Sequence, residues 1–192
     1  ETKQAVDRRP RSYAVVPYEG PNQTHRRPIY LECRDDAVVI QPENIVLGED
    51  DFDGPLGPSN PLAAALRAVR EYLSLQGSVG RDQGGEPYPL LLVRPKGIAA
   101  YIVAREAMRS WGPEFGYELI GEDWNLDFPP ADPGLAKHLR ETIQQARAEQ
   151  QRLIAAAPSK YGKRPNMRAY AVSSGGSGGD GSGEGGSGFY AS

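Results

Sequence analysis

The chain has 192 residues, 39% hydrophobic and 24% charged, with a formal net charge of −3 and a mean hydropathy of −0.56. The Gly/Ser-dominated end and the aliphatic-poor start leave roughly 100 to 130 residues for a core, which suits one domain with appendages. No apolar run approaches the roughly 18 residues of a membrane span, and a single cysteine, Cys33, excludes an intrachain disulfide and a cysteine-cluster metal site.

The charge is unevenly spread. Residues 1–27 sum to +3, residues 28–134 to −10, residues 135–172 to +6 and the remainder to −2. Basic arms therefore flank an acidic body. Either the body draws the arms onto itself across a Debye length of roughly 8–10 Å, or the arms serve an anionic partner. A start at Glu1, with no Met and no apolar leader, is the expectation for a processed or excised chain.

Residues 1–27 read as a basic irregular arm punctuated by Pro10, Pro17, Gly20 and Pro21, with a short strand at Tyr13-Ala14-Val15-Val16. Alternation predicts a strand over Ile29–Cys33, with Ile29, Leu31 and Cys33 on one face. A turn at Asp35-Asp36 leads to a second strand, Ala37–Gln41, and so to a hairpin. Ile45-Val46-Leu47 is expected at the sheet edge, and Gly48 to Pro58 as a polar loop. Ser59 or Asn60 can cap a helix that starts at Pro61. Leu62, Leu66, Val69 and Leu73 form its buried stripe, and Gly77 is the expected stop.

Tyr88–Val93 is nearly continuous in apolar residues, as an inner strand covered on both faces would be. A second helix begins near Ile98 and ends at Gly112-Pro113. Phe115–Ile120 and Trp124–Phe128 read as the last two strands. Asp132-Pro133 opens a long helix to about Ala157, whose narrow seam includes Leu135, Leu139, Ile143, Gln150 and Leu153. That seam either packs on the domain or pairs with another helix; in the second case Leu139, Ile143 and Leu153 are the partner-binding residues. Arg168–Val172 echoes Arg11–Val15, either by coincidence or as two strands that pair.

These elements predict an α+β domain over residues 28–130. It is a ββαβαββ two-layer sandwich, two helices on one face of a mixed four- to five-stranded sheet. A long amphipathic C-terminal helix over 131–157 follows. Beyond it come a basic segment over 158–172 and a Gly/Ser-rich tail over 173–192, disordered by composition.

Candidates for chemistry are few. His25 and His138 lack a convincing acidic partner and read as solvated or edge-packed histidines. Glu49, Asp50, Asp51 and Asp53 resemble the start of a calcium loop, but position twelve falls on Asn60 rather than a bidentate Glu. The run therefore reads as a solvated acidic loop, and no metal or cofactor is expected. No glycine pattern cradles phosphate and no serine sits in a nucleophile elbow. Arg8, Arg9, Arg11, Arg26, Arg27, Lys163 and Arg164 lie among tyrosines, the composition of a surface for nucleic acid or another polyanion. An uncharacterised hydrolase centred on a carboxylate or His25 is a third reading.

Over Pro28 to Ile120 the pattern resembles the soluble domain of the ExbD/TolR family, small subunits of proton-driven membrane motors. Pro28-Ile-Tyr-Leu-Glu-Cys-Arg-Asp-Asp-Ala-Val-Val-Ile-Gln is similar to that family's opening hairpin and Pro61-Leu-Ala-Ala-Ala-Leu-Arg-Ala-Val to its first helix. Pro89-Leu-Leu-Leu-Val-Arg-Pro and Tyr101-Ile-Val-Ala-Arg-Glu-Ala-Met are similar to its inner strand and second helix. The family places Asp after the inner strand, where this chain has Arg94-Pro95, and its membrane helix with the proton-carrying Asp has no counterpart here. The resemblance implies a non-catalytic interaction or scaffold module of a larger, membrane-anchored bacterial assembly. It would self-associate or bind a protein partner, in an extracytoplasmic location; otherwise a cytoplasmic one is expected.

Overall fold

The computed structural model describes residues 12–14, 27–79 and 86–161. A short strand β1 (Ser12–Ala14) precedes β2 (Arg27–Cys33), β3 (Ala37–Gln41) and β4 (Ile45–Gly48). Helix α1 (Pro61–Val79), strand β5 (Pro87–Val93), helix α2 (Ile98–Ala107) and strand β6 (Gly116–Leu119) follow. The chain continues through β7 (Asn125–Asp127), α3 (Pro133–Ala156) and a single turn, α4 (Pro158–Tyr161).

The fold is α+β, a five-stranded mixed sheet in the order β4-β3-β2-β5-β6. The expected hairpin forms, with β2 and β3 antiparallel and Leu31 opposite Ile40. β5 lies parallel between β2 and β6, the inner position its apolar run demands. One sheet face, carrying Ile29, Leu31, Cys33, Val38, Ile40, Leu91 and Val93, packs with α1 and α2 in the main core. α3 runs along α1 and delivers Leu135, Leu139 and Ile143 to that same core.

The helix signals act as the sequence suggests. Asn60 is fully buried and caps α1: its Oδ1 accepts from Leu62 N at 2.9 Å while its Nδ2 donates to the Asp51 carbonyl at 2.8 Å. Asp132 caps α3, with Oδ1 accepting from Gly134 N at 2.8 Å and Leu135 N at 3.2 Å. Gly77 does not stop α1, which runs on to Val79. A glycine costs helix stability but does not forbid the conformation.

Two expectations change. Trp124–Phe128 does not extend the main sheet, because β7 pairs in parallel with β1 as a separate two-stranded ribbon. The chain instead crosses to the second face of the sheet. There Trp124, Leu126 and Phe128 cover Tyr30, Leu90 and Leu92, with the Tyr30 and Phe128 rings 5.4 Å apart. The second change is at Asp51, which is buried rather than solvated. The segment expected to pair with residues 11–15, residues 168–172, lies outside the described residues, as does the tail over 173–192.

Candidate partner-binding edge

A sheet must end somewhere, and each border strand presents unpaired N–H and C=O groups unless something covers them. The two borders here are treated differently. At β4 the covering group is Arg147, on α3. Its Nε and Nη2 hold both oxygens of Asp51, at 2.6 and 2.8 Å, and Nη2 also donates to the Val46 carbonyl at 3.3 Å. Asp51 Oδ2 accepts from Gly48 N at 3.0 Å, and its carbonyl accepts from Gln150 Nε2 at 3.0 Å. A carboxylate, a guanidinium and an amide therefore take up the Val46 carbonyl and the Gly48 amide of this border and fasten α3 to it. Within the acidic run, Asp51 takes its countercharge from an arginine 96 residues away. No group of metal-ligating side chains occurs among the described residues.

The β6 border is open among the described residues. Ile120 N donates to Val93 O at 3.0 Å, so alternate residues of β6 turn their main-chain groups toward β5. Tyr117 and Leu119, between them, direct theirs outward. The same two residues are 60% and 76% exposed. Their register with Leu91 and Val93 puts their side chains on the helix-covered side of the sheet. There Tyr117 meets Tyr101 of α2, ring centroids 5.8 Å apart, and Ile98 at the start of α2 is 56% exposed. Arg105 lies over both Tyr101 and Phe115, at 5.6 and 5.5 Å. Outward main-chain groups and an apolar, aromatic strip thus coincide along one border.

A buried ion network fixes the end of that border. Glu32, on the second face of β2, is 1% exposed. Its carboxylate accepts from Arg94 Nε at 2.7 Å, Arg34 Nη2 at 2.8 Å and Gln41 Nε2 at 2.9 Å. Burial alone would raise its pKa; the hydrogen bonds from Arg34, Gln41 and Arg94 outweigh that and hold it below the usual carboxylate value. Arg94 directs three further donors to the carbonyls of Gly121 at 2.9 Å, Glu122 at 2.6 Å and Trp124 at 3.2 Å. It thereby clamps the turn that follows β6 onto the sheet. Arg94 thus has a structural task that its position after a strand does not advertise.

Leu139 and Ile143 are 0% and 2% exposed, within the chain's own core, which leaves them no free face for a partner helix; Leu153 is half-buried. Arg27 begins β2, its amide donating to Glu86 O at 3.3 Å. Arg8, Arg9, Arg11, Arg26, Lys163, Arg164 and His25 lie outside the described residues. His138 is exposed and stacks on Tyr72 at 6.2 Å. Cys33 is fully buried, and burial pushes its thiol up to about 12. The alternation of Tyr117 and Leu119 with Gly116 and Glu118 signals a strand, but nothing in it signals that the strand lacks a neighbour on one side. No helix among the described residues is long and apolar enough to cross a membrane. No protein-family model, curated protein or solved structure matches the chain.

Proposed function

We propose that this chain is a non-catalytic interaction module of a larger bacterial assembly, and that it receives an extended segment of a protein partner along β6. The open, apolar β6 border carries this reading. Strand addition supplies affinity through main-chain hydrogen bonds and specificity through alternate side chains. Residues 110–132 hold six carboxylates and no Lys or Arg, so the fitting strand is apolar on one face and basic on the other. Two copies pairing antiparallel about Glu118 would set like charges opposite each other, which favours a different chain as partner.

The test uses the full chain and two decapeptides, one alternating Val with Lys and the other Val with Glu. The Lys peptide is expected to bind and to protect the Tyr117 and Leu119 amides from hydrogen exchange; the Glu peptide is not. Leu119→Pro removes an outward N–H and leaves the β5–β6 ladder intact, so it should abolish binding without unfolding. Equal binding by Leu119→Pro, or no protection at those amides, would refute the proposal.

An ExbD/TolR-like identity is the finer form of this reading. It is supported by the formation of all four elements on which the resemblance rests, β2 with β3, α1, β5 and α2. It places the natural protein in a membrane-anchored complex with this domain outside the cytoplasm. Fractionation of native cells should then recover the protein with membranes after a salt wash; recovery in the soluble cytoplasmic fraction would refute that part.

A further inference from the structure

A second feature lies at the opposite end of the sheet. The start of β2, the turn between β3 and β4, the second half of α1 and the segment before α3 line an open cleft with a cavity volume of about 310 Å³. Its floor is aliphatic: Ile29, Ile40, Val69, Leu73 and Leu135 all line it. Into this apolar space the turn places Glu43, which is only 7% exposed. Its own amide and that of Asp132 reach its carboxyl, the latter across 3.5 Å. Burial, and secondarily the negative charge of Asp132, push its pKa above the usual value.

The neighbouring Asp132 is fully engaged. Oδ1 caps α3, and Oδ2 accepts from Tyr72 Oη at 3.1 Å and Gln76 Nε2 at 3.3 Å. Burial would raise its pKa, but the N–H groups of Leu135 and Gly134 at the start of α3, with Tyr72 and Gln76, outweigh that and hold it below the usual value, so it stays charged without a cationic side chain beside it. Neither carboxylate forms a salt bridge with a described residue. Arg27, at the start of β2, also lines the cavity, and the antiparallel register of Tyr30 with Gln41 carries the Glu43 turn toward that end, but no ion pair joins Arg27 to Glu43. A buried carboxyl with little hydrogen bonding, next to a second carboxylate and above an aliphatic floor, is costly to maintain alone. It is the arrangement an apolar cation would complete.

We infer that this cavity is a binding site for a small organic cation, an ammonium group on an aliphatic body, with Glu43 as its anchor. The ammonium would meet Glu43 in the field of Asp132, and the hydrocarbon would lie on Val69, Leu73 and Leu135. This site is independent of the β6 border and would operate whether or not strand addition occurs there.

The test titrates the full chain with hexylammonium, 1-hexanol and hexanoate at neutral pH, followed by the methyl resonances of Val69, Leu73 and Leu135. Hexylammonium should bind at least tenfold more tightly than hexanol, and hexanoate should bind least. Glu43→Gln preserves shape and removes the charge, and should weaken hexylammonium at least tenfold while leaving hexanol unchanged. Leu73→Trp fills the floor and should exclude both, which gives a second variant if Glu43→Gln fails to fold. Equal binding of hexanol and hexylammonium, no effect of Glu43→Gln, or binding that survives Leu73→Trp would overturn the inference. So would the absence of any methyl shift.

Discussion

Replacing Arg94 with Met tests whether the turn after β6 is held by charge or by packing. Met keeps most of the aliphatic stem and removes every donor. The Glu32 carboxylate, only 2% exposed at its side chain, would lose its 2.7 Å partner, and three carbonyls would lose theirs. Breaking a buried pair from one side costs about 3–5 kcal/mol. Glu32 keeps Arg34 and Gln41, so the lower end, about 3 kcal/mol, is expected. That is a large part of the roughly 5–15 kcal/mol that holds a domain folded. With an m-value of about 1–3 kcal/mol/M, the urea midpoint should fall by about 1 M or more. Tryptophan fluorescence and far-UV circular dichroism should report it together, because Trp124 sits on the clamped turn. The double variant Arg94→Met/Glu32→Met removes the orphaned charge as well and should recover about 1 kcal/mol or more. A single variant within about 0.5 kcal/mol of the parent, the range of ordinary surface substitutions, or a double variant less stable than the single, would refute the argument.

Other substitutions probe other parts of the molecule. Leu139→Ala should cost about 2–5 kcal/mol as a core deletion, measured by urea unfolding, with no change in oligomeric mass; a folded, fully stable variant that loses a partner would contradict its place in the core. Glu43→Gln should raise Tm at neutral pH. A carboxyl with a raised folded pKa stabilises the fold only below its unfolded value, and that contribution is lost as pH rises through the folded pKa. The Gln variant's advantage should accordingly fade on acidification below the ordinary Glu range, and an advantage independent of pH would sink the assignment. Glu32 has the opposite sign: with its pKa lowered, its stabilising contribution is present above the unfolded value and disappears as pH falls through the folded one. Glu32→Gln should therefore be destabilising at neutral pH and less so in acid, by thermal denaturation across pH. Cys33, with its thiol at about 12 and its side chain fully buried, should react with a disulfide reagent only as fast as the domain opens; rapid labelling of the native chain would refute its burial.

Much of the fold follows from local patterns. The two-residue alternation of Ile29, Leu31 and Cys33 sets the core face of β2, and Asn60-Pro61 and Asp132-Pro133 carry their caps and helix starts within a few residues. What local pattern lacks is the identity of distant partners. Asp51 sits in a stretch of four acidic side chains and is indistinguishable from its neighbours until Arg147 reaches it. Glu32 alternates outward like a surface residue and is buried because Arg94, 62 residues later, bridges it to the turn beyond β6. The alternation of Trp124, Leu126 and Phe128 correctly signals a covered face but says nothing about which strand lies alongside. A hairpin with β6 and a crossing to the second face have the same sequence pattern. The narrow seam of α3 was open to two uses, and the neighbouring α1, with its unusually broad apolar face, takes up Leu139 and Ile143.

The unlike borders of the sheet also bear on stoichiometry. A sheet with two free margins can be extended indefinitely, each added strand exposing a new template, and this is how edge-to-edge assembly becomes fibrous. Here Arg147 occupies the Val46 carbonyl at the β4 margin. A strand that docks on β6 extends the sheet from that side only. With the Val46 carbonyl and the Gly48 amide already taken by the Arg147–Asp51 clamp, the β4 margin offers a further strand fewer main-chain partners than β6 does, so docking of the proposed kind would favour a finite complex over a growing one.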